Sequence, residues 1–347
     1  MGYENEITHN ELKKTLTRCY ETKTPVFVWG TFGIGKSTVV EKFAKDHELQ
    51  LIDVRVSQLE PSDLRGIPFK STDGKTCEWL PPNWLPKDAD SKGILFLDEI
   101  NLAPPSIQSA CYQLINQRRI GDYFLPKGWF IVCAGNRTSD KANVFDLSAP
   151  LSNRFGQHHT LKIPSVDEWV KWGTSNGNNI DSRIIAFLGL RPDALFKFDS
   201  RTKDRAIPTP RTWAFCSKLI KNVTDLAELE LFVSGCVGES VGLEFTAFTK
   251  LNQKIDVKDI LANPEKVKTI TEIDLKYALL SGLTEVYRDK KDATNLEQIF
   301  KVSENVEPEF SILLLRLVKS VDETFFKKTT TKSAVWKRIA VKYSKYF

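Results

Sequence analysis

The run Gly30-Thr31-Phe32-Gly33-Ile34-Gly35-Lys36-Ser37 combines three glycines, a lysine and a hydroxyl at a spacing suited to holding phosphate. So glycine-rich a loop can turn its backbone amides inward as a nest for phosphate oxygens. A helix opening at Gly35 would add its positive N-terminal end. Lys36 would neutralise the β- and γ-phosphates of ATP, and Ser37 would ligate magnesium. Thr38 completes the residues expected at the nucleotide. The pattern has the setting it needs. It follows the apolar run Val26-Phe27-Val28-Trp29 and opens a helical pattern that reaches about His47.

About sixty residues on, Leu95-Phe96-Leu97-Asp98-Glu99 places two acids at the carboxyl end of a second apolar run. Ligands bind there in open α/β sheets. Asp98 would hold magnesium, and Glu99 would polarise the water that attacks the γ-phosphate. A third run, Trp129 to Ala134, ends in Gly135-Asn136-Arg137. Asn136, on a strand beside Asp98, could orient that water.

These groups need a rigid frame, and the first half of the chain reads as one. Val26–Trp29, Leu51–Val56, Ile94–Leu97, Trp129–Ala134 and His159–Ile163 are short apolar runs alternating with helical patterns, which predicts a parallel sheet in a three-layer sandwich. Past Pro164 the period changes. Trp213–Lys221, Leu226–Phe248, Leu275–Tyr287 and Pro308–Phe326 carry apolar residues at helical steps. Gly235, Gly238 and Gly242 fall inside one of these; they would either let helices approach closely or break the helix.

Composition narrows the class. Of 347 residues, 41% are hydrophobic and 27% charged, as in a soluble globular protein, and no apolar run is long enough for a membrane span. The polar, acidic Met1–Glu6 lacks the apolar core of a secretory signal, and Glu6 stands where a myristoylation site needs Ser or Thr. Six scattered cysteines without a Cys-x-x-Cys pair fit reduced thiols in the cytoplasm. The net charge of +5 is concentrated at one end: residues 327–347 hold seven Lys or Arg and no acid. That segment, with Trp336, Tyr343, Tyr346 and Phe347, could stack and pair with nucleic acid. The spacing of Val335, Ile339 and Tyr343 favours a packed helix with its charges in water.

Together these motifs resemble the AAA+ superfamily, and within it the MoxR-like ATPases of the helix-two-insert clade. Asp63-Leu64-Arg65-Gly66 with Glu78-Trp79-Leu80-Pro81-Pro82 resembles that insert, and Arg118–Tyr123 with Leu125–Trp129 the hairpin before the sensor strand. Leu151-Ser152-Asn153-Arg154-Phe155 is similar to the arginine-finger segment, and Pro208–Trp213 to the second sensor. The likeness is specific from about Val26 to Trp213; beyond it, Gly235–Glu239 and Tyr277-Ala278-Leu279 are weaker echoes.

The resemblance implies a P-loop α/β sandwich (1–172), a helical lid (173–255) and a helical C-terminal extension (256–347). It implies a magnesium-dependent ATPase working as a homo-oligomeric, most often hexameric, ring. Asn136 would be the first sensor. Arg154 would reach the γ-phosphate of a neighbouring subunit, and Arg211 would contact phosphate in its own subunit or across the interface. The resemblance implies as partner a protein to be remodelled, such as one with a von Willebrand factor A domain. The alternative is a nucleic-acid-directed motor or loader, which Arg118-Arg119 and the basic end would serve.

Overall fold

Strands in the middle of a parallel sheet are covered on both faces, so they read as unbroken apolar runs rather than alternating ones. A computed structural model of the chain describes residues 6–137, 140, 145–175, 177–199, 201 and 204–343. It divides into units 1–163 and 164–347. The first unit runs β1 (Glu6–Ile7), α1 (His9–Thr22), β2 (Val26–Trp29), α2 (Lys36–Asp46), β3 (Gln50–Arg55), α3 (Pro61–Arg65), β4 (Ile67–Lys70) and β5 (Cys77–Leu80). It continues with β6 (Lys92–Asp98), α4 (Pro105–Gln117), β7 (Arg119–Ile120), β8 (Tyr123–Phe124), β9 (Gly128–Gly135), α5 (Ala149–Ser152) and β10 (Gln157–Leu161).

Six of these strands form one parallel sheet in the order β1-β10-β2-β9-β6-β3. Successive residues point to opposite faces. Phe27, Leu95, Leu97, Ile131 and Cys133 meet Ile107, Cys111 and Leu114 of α4 in one buried cluster. On the opposite face, Phe130 meets Tyr20 of α1, whose ring also touches Phe43 of α2. This is the expected three-layer sandwich. The sheet order makes β2, β9 and β6 adjacent, so the ends of the three runs singled out in the sequence lie side by side. Two antiparallel hairpins, β4–β5 and β7–β8, stand outside the sheet.

In the second unit the described residues form helices and no strand. The helices are α6 (Val166–Gly173), α7 (Ser182–Leu190), α8 (Pro210–Leu219), α9 (Leu226–Val237), α10 (Glu239–Leu251), α11 (Val257–Ala262), α12 (Ile273–Asp289), α13 (Ala293–Glu304), α14 (Pro308–Val321), α15 (Glu323–Thr330) and α16 (Ala334–Tyr343). Trp213 is fully buried between Phe187 and Phe245, and its indole N–H donates to the Ala194 carbonyl at 2.8 Å. The apolar pattern 226–248 is two helices. Gly238 (φ 88°) ends α9 in a conformation that L side chains rarely adopt, and Gly242 lies where a Cβ would fall 2.1 Å from Ser234 Oγ. Both expectations for these glycines hold: one breaks the helix, the other allows close approach.

In α16, Val335, Ile339 and Tyr343 are buried, Trp336 packs on Phe300 and Phe326, and Arg338 pairs with Glu304. The basic end packs by its apolar face. Lys345, Tyr346 and Phe347, like Met1–Asn5, lie outside the described residues. Among the described residues no helix is long and apolar enough to cross a membrane. All six cysteines are free.

Candidate nucleotide site

The glycine-rich loop leaves β2 at Gly30 and turns through Gly33 (φ 71°) and Gly35 (φ 97°), both left-handed, into α2. No side chain caps the start of α2. An N-terminus without a capping side chain suits an anion, which the helix dipole and first-turn amides favour. Gly30, Thr31, Gly33 and Ile34 are buried, Phe32, Gly35, Lys36 and Ser37 half-buried, and Thr38 exposed. Thr31 Oγ1 is buried with no hydrogen-bond partner among the described residues.

Lys36 Nζ donates to the carbonyls of Gly30 (2.7 Å) and Thr31 (2.9 Å) and to Asn136 Oδ1 (2.9 Å). Ser37 Oγ donates to Asp98 Oδ2 at 3.0 Å. The other Asp98 oxygen accepts the Glu99 backbone N–H at 2.9 Å. Five residues chosen from the sequence (Lys36, Ser37, Asp98, Glu99 and Asn136) thus converge where β2, β6 and β9 end. Partial burial, and then the charge of Asp98, push the Asp53 carboxyl on β3 above its ordinary value. The neighbourhood of Asp98 is rich in negative charge and would welcome a cation.

Glu99 is left-handed at φ 58° without being glycine, a conformation that costs about 1–2 kcal/mol. Its Oε2 accepts the Ser57 hydroxyl at 2.7 Å. The carboxylate is therefore oriented by a residue in the short 3-10 turn (Val56–Gln58) after β3, which the sequence reading did not single out.

Asn101 was also missed. Only 1% exposed, it clamps Asn136 by both backbone groups: its Oδ1 accepts the Asn136 N–H at 3.0 Å and its Nδ2 donates to the Asn136 carbonyl at 2.8 Å. Asn101→Ala would strand these two groups, at a cost of about 1–3 kcal/mol. We expect a lower thermal midpoint, with hydrolysis slowed more than nucleotide binding is weakened. Differential scanning fluorimetry beside a phosphate-release assay checks this. A third residue, His9 of α1, contacts the loop through Nε2 and the Ile34 carbonyl at 2.8 Å.

Arg154 follows α5 and makes its contacts elsewhere: its Nε and Nη2 both donate to the Tyr112 hydroxyl on α4. Arg211 is exposed in the first turn of α8, in the second unit.

No curated protein matches this chain. Among solved structures it is similar to a candidate ATPase from Cytophaga hutchinsonii, at 14% identity and a TM-score of 0.37, over 94% of this chain and 90% of that one. It is also similar to the Thermotoga maritima RuvB Holliday junction branch migration motor (16% identity, TM-score 0.38, 81% of this chain and 94% of that one). A third is NtrX from Brucella abortus in complex with ADP (13%, TM-score 0.40, 81% and 64%). Likenesses at these scores say nothing of function. The family described as AAA domain (dynein-related subfamily) matches residues 25–155, the segment from the strand before the phosphate loop to the residue after Arg154.

Proposed function

We propose that this chain is a magnesium-dependent ATPase of the MoxR-like AAA+ type, which turns over ATP at the interfaces of a homo-oligomeric ring to remodel a partner protein. The observation that carries the reading is the 3.0 Å pairing of Ser37 Oγ with Asp98 Oδ2 beside an ionisable Glu99. Two hard oxygens this close suit magnesium, which takes few protein ligands and fills its octahedron with phosphate and water. When bound, the metal would neutralise phosphate charge. Ser37 and Asp98 would hold it.

The rest falls to the chain's own residues. The amides of the loop and of α2 hold phosphate oxygens. Lys36, now resting on two carbonyls and Asn136, turns its charge to the β- and γ-phosphates. Glu99 accepts a proton from the attacking water, which Asn136 orients. Arg154 supplies a cation to the neighbouring subunit's nucleotide, and Arg211 is assigned to phosphate as well, from its own subunit or another.

A protein partner is supported by the hairpin β4–β5, whose Ile67, Phe69, Trp79 and Leu80 are exposed apolar side chains, and by the packed state of α16. A partner bearing a von Willebrand factor A domain is the specific form of this reading. Phosphate release with magnesium, with chelator, and with DNA or RNA at two salt concentrations tests it. Turnover that stops with chelator and ignores nucleic acid is expected. Turnover without magnesium would remove the metal assignment, and stimulation by nucleic acid that collapses with salt would replace the protein partner with a nucleic-acid track.

A further inference from the structure

Arginines of this chain are held either by carboxylates or by neutral oxygens, as Arg118 is by the Pro126 and Trp129 carbonyls. Arg183, Arg191 and Arg338 are each ion-paired, with Asp181, Asp193 and Glu304. Arg154 instead gives Nε (2.9 Å) and Nη2 to one neutral phenol oxygen, that of Tyr112, and its guanidinium carbon lies 5.1 Å from the same ring's centroid. No ion pair to a carboxylate accompanies these contacts among the described residues. Both side chains are half-buried.

The chemistry of the two kinds of holder differs. A carboxylate orients an arginine and also neutralises it, so a phosphate must compete with a full negative charge. A phenol oxygen accepts the same N–H groups and leaves the positive charge uncompensated. A phosphate brings a full opposite charge and bidentate geometry that the phenol oxygen lacks, so an arriving phosphate wins the exchange. The Nη1 edge, which Tyr112 does not engage, remains for it. Tyr112 is itself fixed, because α4 is anchored in the core under the sheet by Ile107, Cys111 and Leu114.

We propose that Tyr112 is the positioning residue for Arg154: it orients the guanidinium without neutralising it and so presents a charged arginine to the γ-phosphate bound by the adjoining subunit. The proposal rests on the shared-site reading above. It concerns the subunit that donates the arginine rather than the one that holds the nucleotide, and this asymmetry makes it testable.

Tyr112→Phe keeps the ring and removes only the acceptor. In the full-length protein it should lower kcat by roughly tenfold, the scale of a lost hydrogen bond to a charged group, with KM for ATP and the thermal midpoint nearly unchanged. Arg154→Ala should fall further, and the double variant should be no slower than Arg154→Ala alone. Mixing then locates the defect. Lys36→Ala subunits are expected to bind no nucleotide, yet they carry intact Tyr112 and Arg154. Added to Tyr112→Phe subunits, they should raise the rate per Tyr112→Phe site; a defect inside the nucleotide-holding subunit would not respond. If Arg154→Ala is rescued by Lys36→Ala but Tyr112→Phe is not, or if Tyr112→Phe turns over at the full rate, the role of Tyr112 is overturned and the shared site stands. If Arg154→Ala turns over like the wild type, the shared site fails and Tyr112 with it.

Discussion

Glu99→Gln should bind ATP as the wild type does and hydrolyse it about a hundred- to ten-thousandfold more slowly, the range for removing a positioned general base. The amide is nearly the same shape, and its oxygen can still accept the Ser57 hydroxyl that now bonds Glu99 Oε2. The side chain stays in place and loses only its basicity. Lys36→Ala is the complementary case. It removes the main counter-charge to the phosphates and strands the Gly30 and Thr31 carbonyls that the ammonium now satisfies, so binding itself should be lost. Isothermal titration with ATP and a phosphate-release assay separate the two. Turnover persisting in Glu99→Gln would take the general-base role from this residue, and tight ATP binding by Lys36→Ala would take the phosphate role from the loop lysine.

Arg154→Ala should stop hydrolysis while sparing ATP binding, with a loss of about a thousandfold or more, because a cation at the developing charge contributes on that scale. The predicted signature is complementation. Neither Arg154→Ala nor Glu99→Gln subunits turn over alone, but a mixture forms some interfaces in which Glu99 of one subunit faces Arg154 of the next, and activity returns. Sizing with ATP and magnesium should show the assembly in which this happens. A mixture that stays silent, with only monomer in every nucleotide state, would defeat the interface model.

The parts of this site that were readable in advance are those encoded locally. The phosphate loop needs its glycines, lysine and serine in one short run, and β2 has the bounds its apolar stretch predicted, Val26–Trp29. What could not be read is what folding brings together. Ser57 meets Glu99 across 42 residues and Asn101 meets Asn136 across 35, and nothing in the local pattern around either marks the contact. The edge strand β1 is two residues long and exists only through its pairing with β10. Its partner was misplaced as well: the run expected at His159–Ile163 is Gln157–Leu161, because the polar His158 belongs to the strand, where its Nδ1 accepts the Trp29 indole N–H. The pattern read through Phe326 is likewise two helices, since Asp322 ends α14 and caps α15 by accepting the Phe325 N–H. A periodicity argument sees apolar spacing and is blind to a single capping carboxylate.

The left-handed backbone at Glu99 sets stability and turnover against each other at one codon. Glycine adopts φ 58° without the Cβ penalty that glutamate bears there, so Glu99→Gly would relieve local strain and delete the carboxylate in the same step. A directed-evolution campaign that selected only for heat resistance would find this position attractive and would enrich thermally robust, inert proteins. Selection on this scaffold therefore has to score turnover alongside melting temperature in every round.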